Sequence, residues 1–284
     1  MINIKTALSN ATEVLADLHD TARIDAEILL AYTLSKTRTY LYTHPEQPLN
    51  TEQYQRFQTL VKERQLGRPV AYLVKMREFW SLPLKVTEST LIPRPETELI
   101  VELCLHLIPE QRDIRIIDLG TGSGAIALAL AKERPQWEVY ASDISERALY
   151  VAKENAASLN ITNIHFFQSD WFSAIPDAMQ FHAIVSNPPY IPQTDPHLQQ
   201  GDLRFEPQSA LASGEDGLTA IRDIMQQSIA RLNRDGLLLI EHGYDQKTVV
   251  GSMLKDYGYQ KLQCWKDVQG LDRVSGGRLL KVDE

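Results

Sequence analysis

Apolar positions change their period twice along this chain. Over residues 5–66 they recur at helical spacing and show no strand-like alternation. Residues 22–34 place Ile24, Ile28, Leu29 and Tyr32 at that spacing, with Glu27 in the same segment, which predicts an amphipathic helix. Pro45 and Pro48 interrupt the pattern, and Thr51 opens a further helix through Tyr54, Phe57, Leu60 and Val61. The pattern then shifts. Residues 79–86, from Phe79 and Trp80 to Val86, are aromatic and β-branched enough to predict a strand pair or hairpin. Pro93 and Pro95 follow, and Pro95 suits the first turn of a helix carrying Leu99, Val101, Leu103 and Leu107.

From there strand and helix alternate. Short, nearly all-apolar runs at 114–119 and 181–186 predict buried parallel strands. Further strands are expected at 138–141, 164–168 and 237–241, helices at 125–131, 145–159 and 220–232, and a closing antiparallel pair at 260–265 and 278–282. This βαβ alternation predicts an α/β fold, a doubly wound sheet with helices on both faces. The domain plan is a helical N-terminal domain over residues 1–73, a linker with a β-hairpin over 74–92, and an α/β domain over 93–284.

At 284 residues, 43% of them hydrophobic, the chain is an ordinary globular protein of one or two domains. No apolar run approaches the roughly 18–20 residues that span a bilayer, and the opening residues lack the layout of a signal peptide. Cys104 and Cys264 are expected as buried thiols, and the histidines show no zinc-type spacing. A cytoplasmic, metal-free protein is the expectation. The formal net charge of −8 argues against tracking nucleic-acid phosphates. Lys62, Arg64, Arg68, Lys75 and Arg77 do cluster, but Glu63 and Glu78 interrupt them, so they read as solvated helix and linker charges.

The chemistry concentrates in two loops. The strand ending in Asp118-Leu119 runs into Gly120-Thr121-Gly122-Ser123-Gly124 and then a helix, and Asp143 closes the next strand. Glycines allow a tight turn and close approach of backbone to ligand, at the carboxyl end of the strands where such sheets bind ligands. A carboxylate at Asp143 suits the two hydroxyls of an adenosyl ribose; its competing role is at the start of a helix, where Ser145 is the better cap. The Gly-x-Gly-x-Gly spacing favours S-adenosylmethionine over a dinucleotide, whose third glycine falls where Ala125 stands. Asp118 either orders the turn or lies near the ligand's amino end. Asp170 suits an adenine amino group, and Trp171 either packs on the adenine face or belongs to the core.

The second loop, Asn187-Pro188-Pro189-Tyr190, follows an apolar strand. Consecutive prolines stiffen the backbone and push the preceding residue out of the helical region. The Asn187 carboxamide oxygen and the Pro188 carbonyl then stand as two fixed acceptors with few competing donors. An amide or exocyclic amino nitrogen is a poor nucleophile because its lone pair is delocalised. Two hydrogen bonds from its N–H groups favour a pyramidal nitrogen that can attack a sulfonium methyl, with Tyr190 over the flat face of the target. This predicts N-methylation driven by positioning and fixed dipoles. Residues 195–207, including Asp202 to Pro207, read as a substrate-facing loop, and His242 reads as a structural histidine rather than an acid–base group.

Arg77-Glu78-Phe79-Trp80, Leu91 to Glu98, Asp118 to Gly124, Asn187 to Tyr190 and Phe205-Glu206-Pro207 together resemble the HemK (PrmC) family, peptide chain release factor glutamine methyltransferases. The likeness runs across nearly the whole chain. Its most specific element is Ile92-Pro93-Arg94-Pro95-Glu96-Thr97-Glu98, in which family members often carry Asp at the position of Glu96. The resemblance implies a Rossmann-like class I S-adenosylmethionine methyltransferase sheet and, as target, the glutamine of the Gly-Gly-Gln motif in class 1 release factors. It implies cofactor contacts at Gly120, Thr121, Gly122, Ser123, Gly124, Asp143, Trp171 and Asn187. Catalytic roles fall to Asn187, Pro188 and Tyr190, with substrate contacts at Asn187, Pro188, Pro189 and Tyr190. The N-terminal helices would help hold the release factor, with no membrane, no direct nucleic-acid contact and a monomeric chain expected. An adenine-N6 DNA methyltransferase and a glutamine methyltransferase acting on a ribosomal protein remain the alternatives; a nicotinamide dehydrogenase or a binding module would leave Asn187 to Tyr190 without a purpose.

Overall fold

The computed structural model describes residues 2–16 and 21–280, which fall into two compact units, one ending at Met76 and the other beginning at Arg77. The first unit is all helical: α1 (Ile4–Ala16), α2 (Ala22–Leu34), α3 (Arg38–Thr43), α4 (Thr51–Gln65) and α5 (Val70–Val74). Asn50 caps α4 in a capping box with Gln53, each side chain bonding the other's backbone N–H. Ile4, Leu15, Leu29, Leu30 and Phe57 centre its core.

The buried face of α2 differs from the one its apolar spacing suggests. Ile24 is 47% exposed, whereas Asp25 and Glu27 are buried. Each buried acid is paired, which is the condition for a charge to leave water. Asp25 accepts from Arg64 Nε at 2.8 Å. Glu27 accepts from Arg23, Arg38 and the Tyr42 hydroxyl. Arg64 is therefore not one of a set of solvated charges; it is buried and serves Asp25.

The hairpin expected near residue 80 is β1 (Met76–Phe79) and β2 (Leu82–Lys85). Trp80 and Ser81 between them both have positive φ, 51° and 57°, the two-residue turn whose twist matches paired strands. Pro95 opens a single 3-10 turn, Pro95–Thr97, which leads into α6 (Glu98–Leu107).

The remainder is the doubly wound α/β sheet. Its elements are β3 (Arg115–Leu119), α7 (Ala125–Glu133), β4 (Glu138–Asp143), α8 (Glu146–Ser158), β5 (Ile164–Gln168), β6 (Phe181–Ser186), α9 (Thr219–Arg231), β7 (Leu232–Glu241), α10 (Lys247–Asp256), β8 (Gln260–Lys266) and β9 (Asp272–Leu279). Seven strands run in the order β5-β4-β3-β6-β7-β9-β8, with β3 to β7 parallel. β9 is antiparallel to both neighbours and lies inside the sheet. Two cores flank it, one around Ile116, Leu128 and Trp137 and the other around Ile117, Phe181 and Leu238.

Three expectations shift. The last strand begins at Asp272 instead of 278, and residues 281–282 of the expected strand lie outside the described residues. Gly276-Gly277 sits mid-strand: a Cβ at Gly276 would collide with the Leu238 carbonyl oxygen, and one at Gly277 would come 2.7 Å from Leu262 Cδ2. β7 starts at Leu232, five residues before the apolar run, across a register shift opposite Phe181 and Ala183. Finally, α10 was not expected at all; it buries only Val250 and Leu254.

Candidate active site

Parallel strands β3, β4 and β6 end at one edge of the sheet, and the loops leaving them form a cleft of about 490 Å³, within the usual range for a small-molecule site. Asp118, at the end of β3, is buried beneath the glycine loop. Its Oδ2 accepts from Thr121 Oγ1 at 2.6 Å and from Ala127 N at 3.3 Å, while Oδ1 has no hydrogen-bond partner among the described residues. Burial pushes its carboxyl up to about 7, against the bonds from Thr121 and Ala127. Of the two roles open to it, this placement is the loop-ordering one. Thr121 and Ser123 are buried behind the loop, and Gly124 opens α7. Gly120 and Gly122 are the two that line the cleft.

Asp143 lines the cleft too. Its Oδ2 accepts from Gly122 N and its Oδ1 from Ser145 N, both at 2.9 Å. Ser145 is the cap of α8, accepting from Ala148 N at 3.2 Å, so the Asp143 carboxylate keeps spare lone pairs for a ligand. Burial holds that carboxyl above its ordinary range, against the two backbone donors. Beside it Ile144, 64% exposed, offers an apolar face. Trp171 has φ 47° and lies against Gly120, its Cζ3 3.5 Å from where a Cβ would stand. An acidic acceptor with spare lone pairs, flanked by Ile144, Asp170 and Trp171, fits a ribose carrying a flat heterocycle.

Asn187 and Pro189 form the adjoining wall; Pro188 is buried, and Tyr190 turns its hydroxyl away to Glu241 Oε1 at 3.2 Å. The Asn187 carboxamide donates through Nδ2 to Thr97 Oγ1 at 2.9 Å. Thr97, itself buried, comes from the segment singled out as Ile92 to Glu98. That segment is held by Glu206, which is buried and accepts from Ile92 N at 3.0 Å and from Arg94. Burial raises the Glu206 carboxyl, and the Arg94 charge opposes the rise. Glu241, 1% exposed at the end of β7, is pushed up to about 7 by burial, opposed by the Thr97 hydroxyl, Arg273 and Tyr190. His242 is buried, with Nδ1 against the Gly243 carbonyl and Nε2 against Ser275 Oγ, both at 2.8 Å. That is the structural histidine, and burial keeps it below its ordinary pKa.

Sequence reasoning did not find Thr97 or Glu241 as partners of the Asn187 loop, nor Ile144 on the cleft wall. Thr97 and Asn187 are 90 positions apart. The exposed isoleucine directly after Asp143 was the one readable signal, an apolar residue where a helix start calls for polar ones. Among the described residues no helix is long and apolar enough to cross a membrane, and no His/Cys/Asp/Glu group is placed to hold a metal.

Comparison with known proteins now bears on this cleft. Residues 6–74 match the PrmC N-terminal domain and residues 97–202 the methyltransferase small domain. Similar solved structures include a methyltransferase from Pyrococcus furiosus, at 15% identity over 79% of this chain and 98% of that one with TM-score 0.54. The hMettl16 catalytic domain is another, at 16% identity over 79% of this chain and 84% of that one with TM-score 0.56. At these identities they speak for the fold, a Rossmann-like methyltransferase sheet. The release factor glutamine methyltransferase of Coxiella burnetii is 46% identical over 98% of this chain and 99% of its own length. That of Vibrio cholerae is 48% identical over 98% and 97%, and that of Escherichia coli 48% over 91% and 93%. Likeness of that degree over nearly the full length means that the chain belongs to the HemK (PrmC) family, the release factor glutamine methyltransferases.

Proposed function

We propose that this protein methylates the side-chain amide nitrogen, N5, of the glutamine in the Gly-Gly-Gln motif of class 1 peptide chain release factors, using S-adenosylmethionine. One observation carries the reading: the Asn187 carboxamide stands on the wall of the cleft that holds Asp143 and the glycine loop, anchored there through its nitrogen. S-adenosylmethionine supplies an electrophilic methyl on a sulfonium. Gly120 to Gly124 give it a close backbone floor, with Gly120 and Gly122 at the surface. Asp143 accepts from its ribose hydroxyls, Trp171 packs beside the adenosine, and Asn187 borders both ligands. Asn187 Oδ1 and the Pro188 carbonyl accept from the two hydrogens of the glutamine amide, which draws its lone pair out of conjugation. Pro189 and Tyr190 shape the slot that admits a flat amide. Fixed dipoles of this kind need no reorganisation as charge develops on the nitrogen. The proton lost after transfer leaves an alkylated, more acidic nitrogen, so no strong base is required.

The helical unit is read as the domain that engages the release factor, and the 93–284 region as the catalytic domain. The protein acts as a monomer in the cytoplasm, on a protein rather than a nucleic acid, as a net charge of −8 favours. The test is incubation of purified release factor with this protein and labelled cofactor, followed by mass mapping of the Gly-Gly-Gln peptide. A methyl on that glutamine is the expected result. An unmodified glutamine, with label on DNA adenine or on a ribosomal protein instead, overturns the substrate assignment.

A further inference from the structure

Pro188, Pro189 and Pro192 leave the stretch after β6 short of N–H groups. With so few donors of its own, the Asn187 to Tyr190 loop has to be fastened through its acceptors. The structure does this at Tyr190. Gln246, which opens α10, donates through Nε2 to the Tyr190 carbonyl at 3.0 Å. We propose that Gln246 is a positioning residue for methyl transfer: it fixes the Tyr190 backbone and, through the two prolines before it, the Pro188 carbonyl and Asn187. This rests on the reading that the Asn187 to Tyr190 loop grips the methyl-accepting amide.

Main-chain groups set the polarity of this contact. A carboxamide has nearly the same shape either way round, so its partners decide which end is which. Gln246 Oε1 accepts from Gly243 N at 2.8 Å, and a main-chain N–H can only donate. Nε2 is then the end that faces the Tyr190 carbonyl, which can only accept. Gly243 and Gln246 are tied to each other a second time, Gln246 N donating to the Gly243 carbonyl at 2.9 Å. The joint is closely packed. Gly217, with φ 77°, lies against it, and a Cβ there would stand 2.3 Å from the Tyr190 oxygen, 3.0 Å from Gln246 Nε2 and 3.1 Å from Pro192 Cδ. The stretch that leaves β7 thus holds Tyr190 twice, its carbonyl through Gln246 and its hydroxyl through Glu241 Oε1 at 3.2 Å. At the other end of the loop, Ser186 Oγ donates to the Leu119 carbonyl at 2.7 Å and Asn187 Nδ2 to Thr97 Oγ1 at 2.9 Å. Two consecutive prolines with fixed φ make the segment between these ends a stiff strut. Releasing the Tyr190 end swings the acceptors that the target amide needs. Gln246 does not line the cofactor cleft, so its loss acts on the target side of the site.

Gln246→Glu keeps the shape and the acceptor for Gly243 N–H, but sets a carboxylate oxygen against the Tyr190 carbonyl. Gln246→Leu removes both bonds. The expected result is a fall in kcat on release factor of about tenfold or more in each variant. The Kd for S-adenosylmethionine, from calorimetric titration, should stay within about threefold of wild type, which also shows that the variants are folded. A second readout needs no turnover. Tyr190-Ile191 is the only Tyr-Ile step in the sequence. Protein labelled with carbonyl-carbon-13 tyrosine and nitrogen-15 isoleucine therefore gives one carbonyl–amide NMR cross-peak, read through the Ile191 N–H that bonds the Leu211 carbonyl. Its carbonyl shift is expected to move upfield in both variants as the hydrogen bond to Tyr190 is lost. Wild-type kcat in either folded variant, a carbonyl shift indifferent to Gln246, or a fall in kcat matched by an equal loss of S-adenosylmethionine affinity each overturns the proposal. If the wild-type protein leaves release factor glutamine unmodified while the cross-peak still depends on Gln246, the substrate assignment falls and the hold on Tyr190 stands.

Discussion

Gly122 and Gly124 lie two residues apart in one loop and are required for different reasons. At Gly124 φ is 87°, and an added Cβ would sit 2.8 Å from Leu128 Cδ1 and 3.2 Å from Ala152 Cβ, inside the packing of α7 on α8. At Gly122 φ is 58°, and a Cβ would meet nothing within 4 Å, because that side opens on the cleft. Gly124→Ala is therefore expected to destabilise by roughly 2–5 kcal/mol, strain and overpacking together. Gly122→Ala should cost only about 1–2 kcal/mol of backbone strain while intruding on the ligand's approach. Urea unfolding and calorimetric titration with S-adenosylmethionine separate the two. Equal unfolding penalties, or undiminished cofactor affinity in Gly122→Ala, would contradict this division of labour. Asn187→Ala should lower turnover by at least about 10²-fold, as loss of one preorganised polar contact does, with cofactor binding less affected; near-normal turnover would retire its role. In the bare sequence the loop is legible as a ligand turn, but a Gly-x-Gly-x-Gly string does not say which glycine is tight and which is open. Nor does it reveal Thr97, whose meaning arises only when the fold brings it to Asn187.

Elements were legible where their periodicity was unmixed. Strands β5 and β6 and helix α2 fall where the pattern placed them, although the face that α2 buries is not the one its apolar spacing suggests. Where small residues or charges break the pattern, the reading fails for a physical reason. Helix α10 carries Val249-Val250-Gly251, poor helix formers, and owes its shape to packing of Val250 and Leu254 against the second core. Strand β9 hides behind Gly276-Gly277, which are there because neighbouring backbone and Leu262 leave no room for side chains. The segment from Ile92 to Glu98 is a third case: it was recognisable as unusual, yet nothing in its own residues shows that Glu206 fastens it. Glu206→Ala should leave the buried Ile92 N–H without an acceptor, at about 1–3 kcal/mol. It should also loosen the placement of Thr97, lowering kcat on the order of tenfold with S-adenosylmethionine affinity retained. A variant that loses stability but keeps full kcat would show that the clamp holds the fold alone and leaves the site untouched.

For the molecule as a whole, the arrangement that gathers parallel strand ends into one cleft also buries acids there. Asp118 is the last residue but one of β3 and Glu241 ends β7, and burial pushes both up to about 7, against Thr121 and Ala127 at the first and Thr97, Arg273 and Tyr190 at the second. Asp143 and Glu206 are raised in the same direction. A carboxyl whose folded pKa exceeds its unfolded value binds more protons in the folded state. Its contribution to stability is present in full below the unfolded value, near 4.5 for glutamate, and is lost as the pH rises through the folded one. The acids lowered by partners, Glu27, Glu138, Asp216, Asp267 and Asp272, have the opposite sign. Their contribution is lost only in more acid solution, below the window in which Asp118 and Glu241 titrate. Between about pH 5 and pH 8 the buried acids therefore pull stability down by on the order of 1–2 kcal/mol per group, against His182 and His242, whose lowered pKa values make stability rise with pH at the acid end of that window. Urea midpoints measured across that range, in wild type and in Glu241→Gln, expose the trend. In the variant the stability slope should be shallower. Parallel stability profiles in the two proteins would mean that Glu241 keeps one protonation state throughout and that the trend does not originate with it.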